Sequence, residues 1–346
     1  MTALKIPKDQ IAGLLAALLE QYQIVAPVEE DGRVTFARLS SPEEAVLDYR
    51  NAQVSPKGLL FPQTEVLLAY NLTGKTAELR ETPQPEAGQL VFGIRPCDAR
   101  SFVLLDRVFD GNGWHDRYYL KRRRNTTVIA LACPKPGLAC FCASVGGGPF
   151  STEGSDLLLT DVGQEYLIEV VTDKGAALAE RLTEYGEAAE GSLRRKAELQ
   201  TGAEAALAGR VEIGEIDRRL KKMWDDVFWE RLHEKCLGCG VCTYLCPTCH
   251  CFDIVDEGSH YEGQRLRLWD SCMFPLFTRQ ASGHNPRPTG KERWRQRLMH
   301  KFCYSVESYG EVGCVGCGRC VVNCPVNLDL RHVLNEICSD RMQQGR

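Results

Sequence analysis

Two copies of one cysteine motif constrain this 346-residue chain more than any other feature. The first, CLGCGVCTYLCP, places Cys236, Cys239, Cys242 and Cys246 ahead of Pro247, and the second, CVGCGRCVVNCP, places Cys314, Cys317, Cys320 and Cys324 ahead of Pro325. Both read C-x2-C-x2-C-x3-C-P, the spacing with which bacterial ferredoxins hold a [4Fe–4S] cube. Three thiolates, each two residues from the next, wrap three corners; glycines between them turn backbone N–H groups toward sulfur, and the fourth cysteine points away. In two-cluster ferredoxins that fourth cysteine serves the other cluster. The expected sets are therefore Cys236, Cys239 and Cys242 with Cys324, and Cys314, Cys317 and Cys320 with Cys246. Zinc is the alternative, but tetrahedral sites use ligand pairs joined by a longer spacer and need fewer sulfurs.

The motifs are separated by a long insertion, residues 247–313, which holds Cys249, Cys251, Cys272, Cys303 and His250. These cysteines read as buried small hydrophobes or weak S–H donors packed against a cube, with a ligand role as the alternative. Cys338 receives no assignment. The remainder of the insertion, in GHNPRP, KERWRQRLMHKF and LWDSCMF, mixes Arg and Lys with Trp and Phe. Such residues suit a protein interface or the cladding of an anionic cluster.

Seventeen cysteines without a recognisable export signal argue for reduced thiols in a cytoplasm. Residues 1–22 contain a helical stripe, Ile11, Leu14, Leu15, Leu18 and Leu19, interrupted upstream by Lys5, Lys8 and Asp9, which is unlike a signal peptide. No apolar run approaches the ~20 residues of a membrane span. A net charge of −4 gives no reason to expect nucleic acid, and the basic run Lys121 to Arg124 reads as a solvated loop or partner-facing patch.

The chain is expected to be α+β, with a mixed α/β N-terminal domain (1–230) and a mainly helical ferredoxin-like domain (231–346) that carries the insertion. Strand-length apolar runs occur at EVLLAY, QLVFGI, TTVIALA, DLLLTDV and YLIEVV. Between the second and third, Phe102, Leu105 and Val108 recur at helical spacing, giving a β–α–β unit. Residues 174–210 favour helix, and Ile216, Leu220, Met223 and Val227 mark one face of a further helix leading to Cys236.

Four more cysteines stand apart from the motifs. Cys97 follows one predicted strand, and Cys133, Cys140 and Cys142 follow the next, so both loops would leave the same end of neighbouring strands. Four sulfurs suit a third [4Fe–4S] cluster; zinc, a lone low-pKa thiol at Cys97 and simple core packing of CFC are the alternatives. The nearby VGGGP lacks any phosphate-loop or dinucleotide fingerprint.

Together IRPCDAR, CFCASVGGGP, CPTCHCFD, WDSC, GHNPR and GCVGCGRC resemble the iron–sulfur β subunit of cytosolic hydrogenases and sulfhydrogenases, and the similar A subunit of anaerobic sulfite reductase. The resemblance runs from about residue 90 onward. It implies an electron-transfer subunit joining a flavin and pyridine-nucleotide reductase subunit to a catalytic redox partner, such as a nickel–iron hydrogenase or a sirohaem sulfite reductase. Neither an acid–base–nucleophile constellation nor a nickel–iron ligand pattern is evident, so no catalytic residue is assigned. The rival readings are a docking protein whose clusters only staple the fold, and an enzyme with Cys97 as nucleophile.

Overall fold

The computed structural model describes residues 3–82, 88–111 and 113–339. Its strands are β1 (Leu4–Pro7), β2 (Gln23–Glu30), β3 (Arg33–Arg38), β4 (Thr64–Thr73), β5 (Thr76–Glu81), β6 (Gln89–Ile94), β7 (Thr126–Leu131), β8 (Leu157–Asp161), β9 (Glu165–Val170), β10 (Phe252–Gly258) and β11 (Glu262–Trp269). The larger sheet runs β1-β9-β8-β7-β6-β2-β3, with β2, β6, β7 and β8 parallel. Parallel strands need both faces covered, which is why QLVFGI and TTVIAL are nearly unbroken apolar runs. Leu90, Phe92, Ile129 and Leu131 pack on one face against the helix Ile11–Leu19, while Val91, Ile94, Val128 and Ala130 pack on the other with Phe102 and Leu105. Those last two belong to the helix Pro96–Phe109, which follows β6 as the β–α–β pattern requires.

The smaller sheet runs β10-β11-β4-β5. Its outer hairpin comes from the insertion after the first cysteine motif, yet β11 pairs with β4 from the first quarter of the chain. Buried Arg267 on β11 explains the attachment, since it bonds Glu65 of β4 and Asp116. Trp269 stacks on Phe61 at 5.9 Å and donates its indole N–H to the Phe61 carbonyl at 3.0 Å.

Two local expectations differ from what is found. The run from Ile216 forms two short helices, Ile216–Lys222 and Phe228–His233, and Val227 is 71% exposed. The break arises because fully buried Trp229 donates its indole N–H to the Met223 carbonyl at 2.5 Å, closing the first helix with a side chain. The basic run at 121–124 lies in the helix Arg117–Asn125, where Arg122 pairs with Glu65 and Arg123 with Asp106 at 3.0 Å.

The last third packs helices Gly290–Met299 and Leu330–Cys338 around Trp229, Met273, Trp294, Leu298, Phe302 and Leu334. A π-helical turn, His300–Tyr304, prolongs the first of these helices. No helix among the described residues is long and apolar enough to cross a membrane.

Candidate metal centres

The duplicated motif folds twice in the same way. Gly238 and Gly240 take φ of 68° and 75°, and Gly316 and Gly318 take 62° and 75°, a region open to glycine and costly for a side chain. These turns aim the N–H of Gly238 at the Cys236 sulfur, 3.3 Å away, and that of Gly316 at the Cys314 sulfur, 3.4 Å away. One helical turn then follows in each copy, Val241–Tyr244 and Arg319–Val322.

Cys236, Cys239, Cys242, Cys320 and Cys324 line one cavity, closed by Met273, Trp294 and Leu330. Three come from the first motif and two from the second. The Leu328 N–H donates to the Cys324 sulfur at 3.2 Å. Conversely, Cys246 leaves the first motif and is an electrostatic neighbour of Cys314, Cys317 and Cys320. The crossing is pinned by Thr248, whose hydroxyl donates to the Gly313 carbonyl at 2.8 Å and lies 3.2 Å from the Cys246 sulfur.

Buried cations surround these sulfurs. Lys301 gives its ammonium to the Thr248 hydroxyl and the Gly313 carbonyl, both at 2.9 Å. Lys57 donates to the Cys249 carbonyl at 2.9 Å and sits 4.0 Å from the Trp269 ring centre. Arg297 reaches the Cys242 carbonyl at 3.5 Å, and its Nε has no partner. Among the described residues no carboxylate pairs with any of the three, although each is 5% exposed or less. Burial works against the charge of Lys301, but the neighbouring side chains of Cys246, Cys249 and Cys314 more than offset it and hold its pKa above the ordinary value. For Lys57 burial prevails, and its pKa is lowered. Isolated buried cations are costly, so this arrangement calls for anionic sulfur beside them.

The other insertion cysteines pair thiol to thiol. A hydrogen bond between Cys246 and Cys249 lowers the pKa of the first and raises that of the second. Cys251 and Cys272 do likewise, with Cys251 brought down to about 7. Cys303 is fully buried among apolar side chains, and Cys338 lies at the end of the last helix.

The cysteines of the N-terminal half also meet. β6 and β7 are parallel neighbours, so the loops after them open at the same edge, where crevices of such sheets form. Cys97 in the first turn of Pro96–Phe109, with Cys133, Cys140 and Cys142, lines a cavity that Arg50, Arg95 and Cys317 also border. Burial, then Asp98, raises the Cys97 pKa well above its ordinary value, opposite to what a low-pKa nucleophile needs. Burial pushes Cys142 up to about 12. In VGGGP, Gly146 takes φ of 81°, and a Cβ on it would lie 3.3 Å from the Arg100 side chain, which donates to the Val145 carbonyl at 2.7 Å.

This third set rests directly on the second motif. The Phe141 N–H donates to the Gly316 carbonyl at 2.8 Å, and a Cβ on Gly316 would stand 2.6 Å from the backbone of Phe141 and Cys142. Beside it, Arg319 makes a bidentate bond to Asp98, both contacts 2.6 Å, with both side chains buried. The second motif thus borders both other sets, Cys320 lining the cavity of the first and Cys317 that of the third. Among the described residues no three His, Cys, Asp or Glu side chains converge on one ion.

Residues 235–328 match the family model of a 4Fe-4S dicluster domain. Over 340 residues the chain is 30% identical to the sulfhydrogenase 2 subunit beta of Pyrococcus furiosus, spanning 97% of this chain and 98% of that protein. No solved structure matches.

Proposed function

The chain belongs to the family of iron–sulfur hydrogenase β subunits, and from that premise we propose that it relays electrons in a cytoplasmic oxidoreductase complex, between a flavin- and pyridine-nucleotide-binding subunit and a catalytic redox subunit. We assign Cys236, Cys239, Cys242 and Cys324 to one [4Fe–4S] cluster and Cys314, Cys317, Cys320 and Cys246 to a second. Cys97, Cys133, Cys140 and Cys142 are assigned to a third.

The observation that carries this reading is the trio of buried cations without carboxylates, Lys57, Arg297 and Lys301, which bond the carbonyls of Cys249 and Cys242 and the Thr248 hydroxyl and have cysteine side chains as their electrostatic neighbours. Such clusters, when bound, supply one-electron carriage at potentials set by hydrogen bonding and burial. The chain's own residues do the rest. Gly238 and Gly316 present N–H donors to sulfur, Met273 and Trp294 keep water from the first cavity, and the ammonium of Lys301 offsets thiolate charge.

Counting iron and acid-labile sulfide in anaerobically prepared protein tests the assignment. About twelve irons per chain support three cubes, about eight remove the third, and zinc in place of iron defeats the reading. Reversible bleaching on reduction separates an electron carrier from a protein that its clusters merely staple.

A further inference from the structure

Where the second and third cysteine sets meet, the surface opens into a groove. Cys140 and Cys317 line it together with Arg33, Arg50, Leu138 and Arg331, and no carboxylate does so. Arg331 is partly neutralised by Asp329 at 2.6 Å. Arg33 and Arg50 are exposed and take part in no ion pair among the described residues. Two large apolar side chains stand beside them in water, Leu138 at 85% exposure and Val322 at 73%. Both ride on segments that carry the sulfurs, Leu138 two residues before Cys140 and Val322 on the short helix after Cys317.

An uncompensated basic rim is unexpected on a chain of net charge −4, and exposed apolar side chains within it are costly unless a partner covers them. Basic steering residues around a small apolar contact are what a fast, reversible docking interface needs. Electron transfer further demands that the contact lie over a redox centre, and this groove reaches the ligands of two proposed centres. We propose that the groove is the docking surface for a redox protein or subunit that presents an acidic face, and that electrons cross the molecular boundary there. The inference rests on the cluster assignment above. The step makes and breaks no bond: one electron leaves the partner, which is oxidised, and one cluster of this chain is reduced.

The experiment mixes the oxidised, cluster-loaded chain anaerobically with a reduced, strongly acidic plant-type [2Fe–2S] ferredoxin and follows cluster bleaching by stopped flow. Photoreduced deazaflavin serves as a small control reductant that needs no docking. Arg33→Glu, at a residue that lines the groove but not the cavity of Cys97, Cys133, Cys140 and Cys142, should slow reduction by ferredoxin about tenfold, within the range by which charge steering alters association. Raising the salt should slow the wild type in the same way, and deazaflavin reduction and iron content should not change. Leu138→Asp, at a site too exposed to affect folding, should slow the ferredoxin reaction alone. The proposal is overturned if the ferredoxin reaction is absent, or is insensitive to salt and to charge reversal. It is equally overturned if Arg33→Glu loses iron or shifts the cluster potentials, since that guanidinium would then be cladding for the clusters. A wild-type chain without reducible iron sinks the cluster assignment itself, a result distinct from intact clusters with unchanged docking.

Discussion

At single residues, the question is which sulfur serves which centre and what charge stands beside it. Cys246 belongs to the first motif yet is an electrostatic neighbour of Cys314 and Cys317, and we assign it to the second cluster. Cys246→Ser should therefore strip or distort the cluster of Cys314, Cys317 and Cys320 and spare that of Cys236, Cys239 and Cys242. Resolved EPR signals of the reduced protein, with iron counts, would show this, and damage confined to the first motif would refute the exchange. Cys249, hydrogen-bonded to Cys246, offers a nearby substitute sulfur, so Cys246→Ser/Cys249→Ser should lose iron more completely. Lys301 acts through charge. Its ammonium favours the more negative, reduced state of a neighbouring centre, and a unit charge a few ångström away at an effective dielectric of ~20 is worth a few kcal/mol. Lys301→Gln should lower the potential of the second centre by tens of millivolts or more, on the order set by that Coulomb energy, with iron content kept. An EPR-monitored redox titration that finds no shift would remove Lys301 from the electrostatics of the site.

The helix built from Gly290–Met299 and its π-helical extension brings Arg297, His300 and Lys301 to the cysteine sets. His300 meets His250 edge to face, ring centres 5.2 Å apart. Burial brings the His250 pKa down to about 4 and that of His300 to about 3, the second also opposed by His250 and Lys301. An unfolded histidine titrates near 6.5, so between about pH 6.5 and 4 the unfolded chain binds protons that the folded chain refuses. The sign is fixed: stability is retained above about 6.5 and falls as the pH drops toward the folded values, by about 1.4 kcal/mol per pH unit per histidine. Between pH 7.5 and 5.5, His300→Gln should accordingly lose roughly 1.4 kcal/mol less than the wild type in anaerobic denaturant titrations; equal losses would mean that the imidazole charges freely in the fold. Elements differ in how plainly the sequence announces them. β6, β7 and β8 are legible because both their faces are buried, whereas β10 and β11, written FDIVDEG and EGQRLRLW, carry charges on exposed edges and show no such run. Local spacing likewise exposes the motif cysteines, and the order of strand and loop brings out Cys97 and Cys133. Arg297 and Lys301 lie in KERWRQRLMHKF, whose basic and aromatic mixture suits a protein interface or cluster cladding alike. Lys57 and Asp98 are invisible in advance, because their partners lie 192 and 221 residues away.

For the molecule as a whole, the division near residue 230 separates sequence patterns more cleanly than it separates contacts. β11 from the insertion completes the sheet of β4, and Lys57 reaches the carbonyl of Cys249. The second motif lies against the loop of Cys140 and Cys142, where Asp98 holds Arg319. A ferredoxin-like half with a smooth outer surface would survive separation, but this half presents two guanidiniums whose anions sit in the other half, Arg267 on Glu65 and Asp116 and Arg319 on Asp98. Separation would break both pairs, strip β11 of its partner strand and expose the apolar surface around Trp269 to water. Residues 231–346 expressed alone should therefore fail to hold about eight irons and should aggregate, whereas the full chain holds its complement; anaerobic size-exclusion chromatography with iron analysis makes the comparison. A soluble fragment with eight irons and native EPR signals would show that the first half is only attached to the dicluster half. Failure would mean that the two halves form one cooperative structure, in which β4 completes β11 and the helix after β6 holds the second motif.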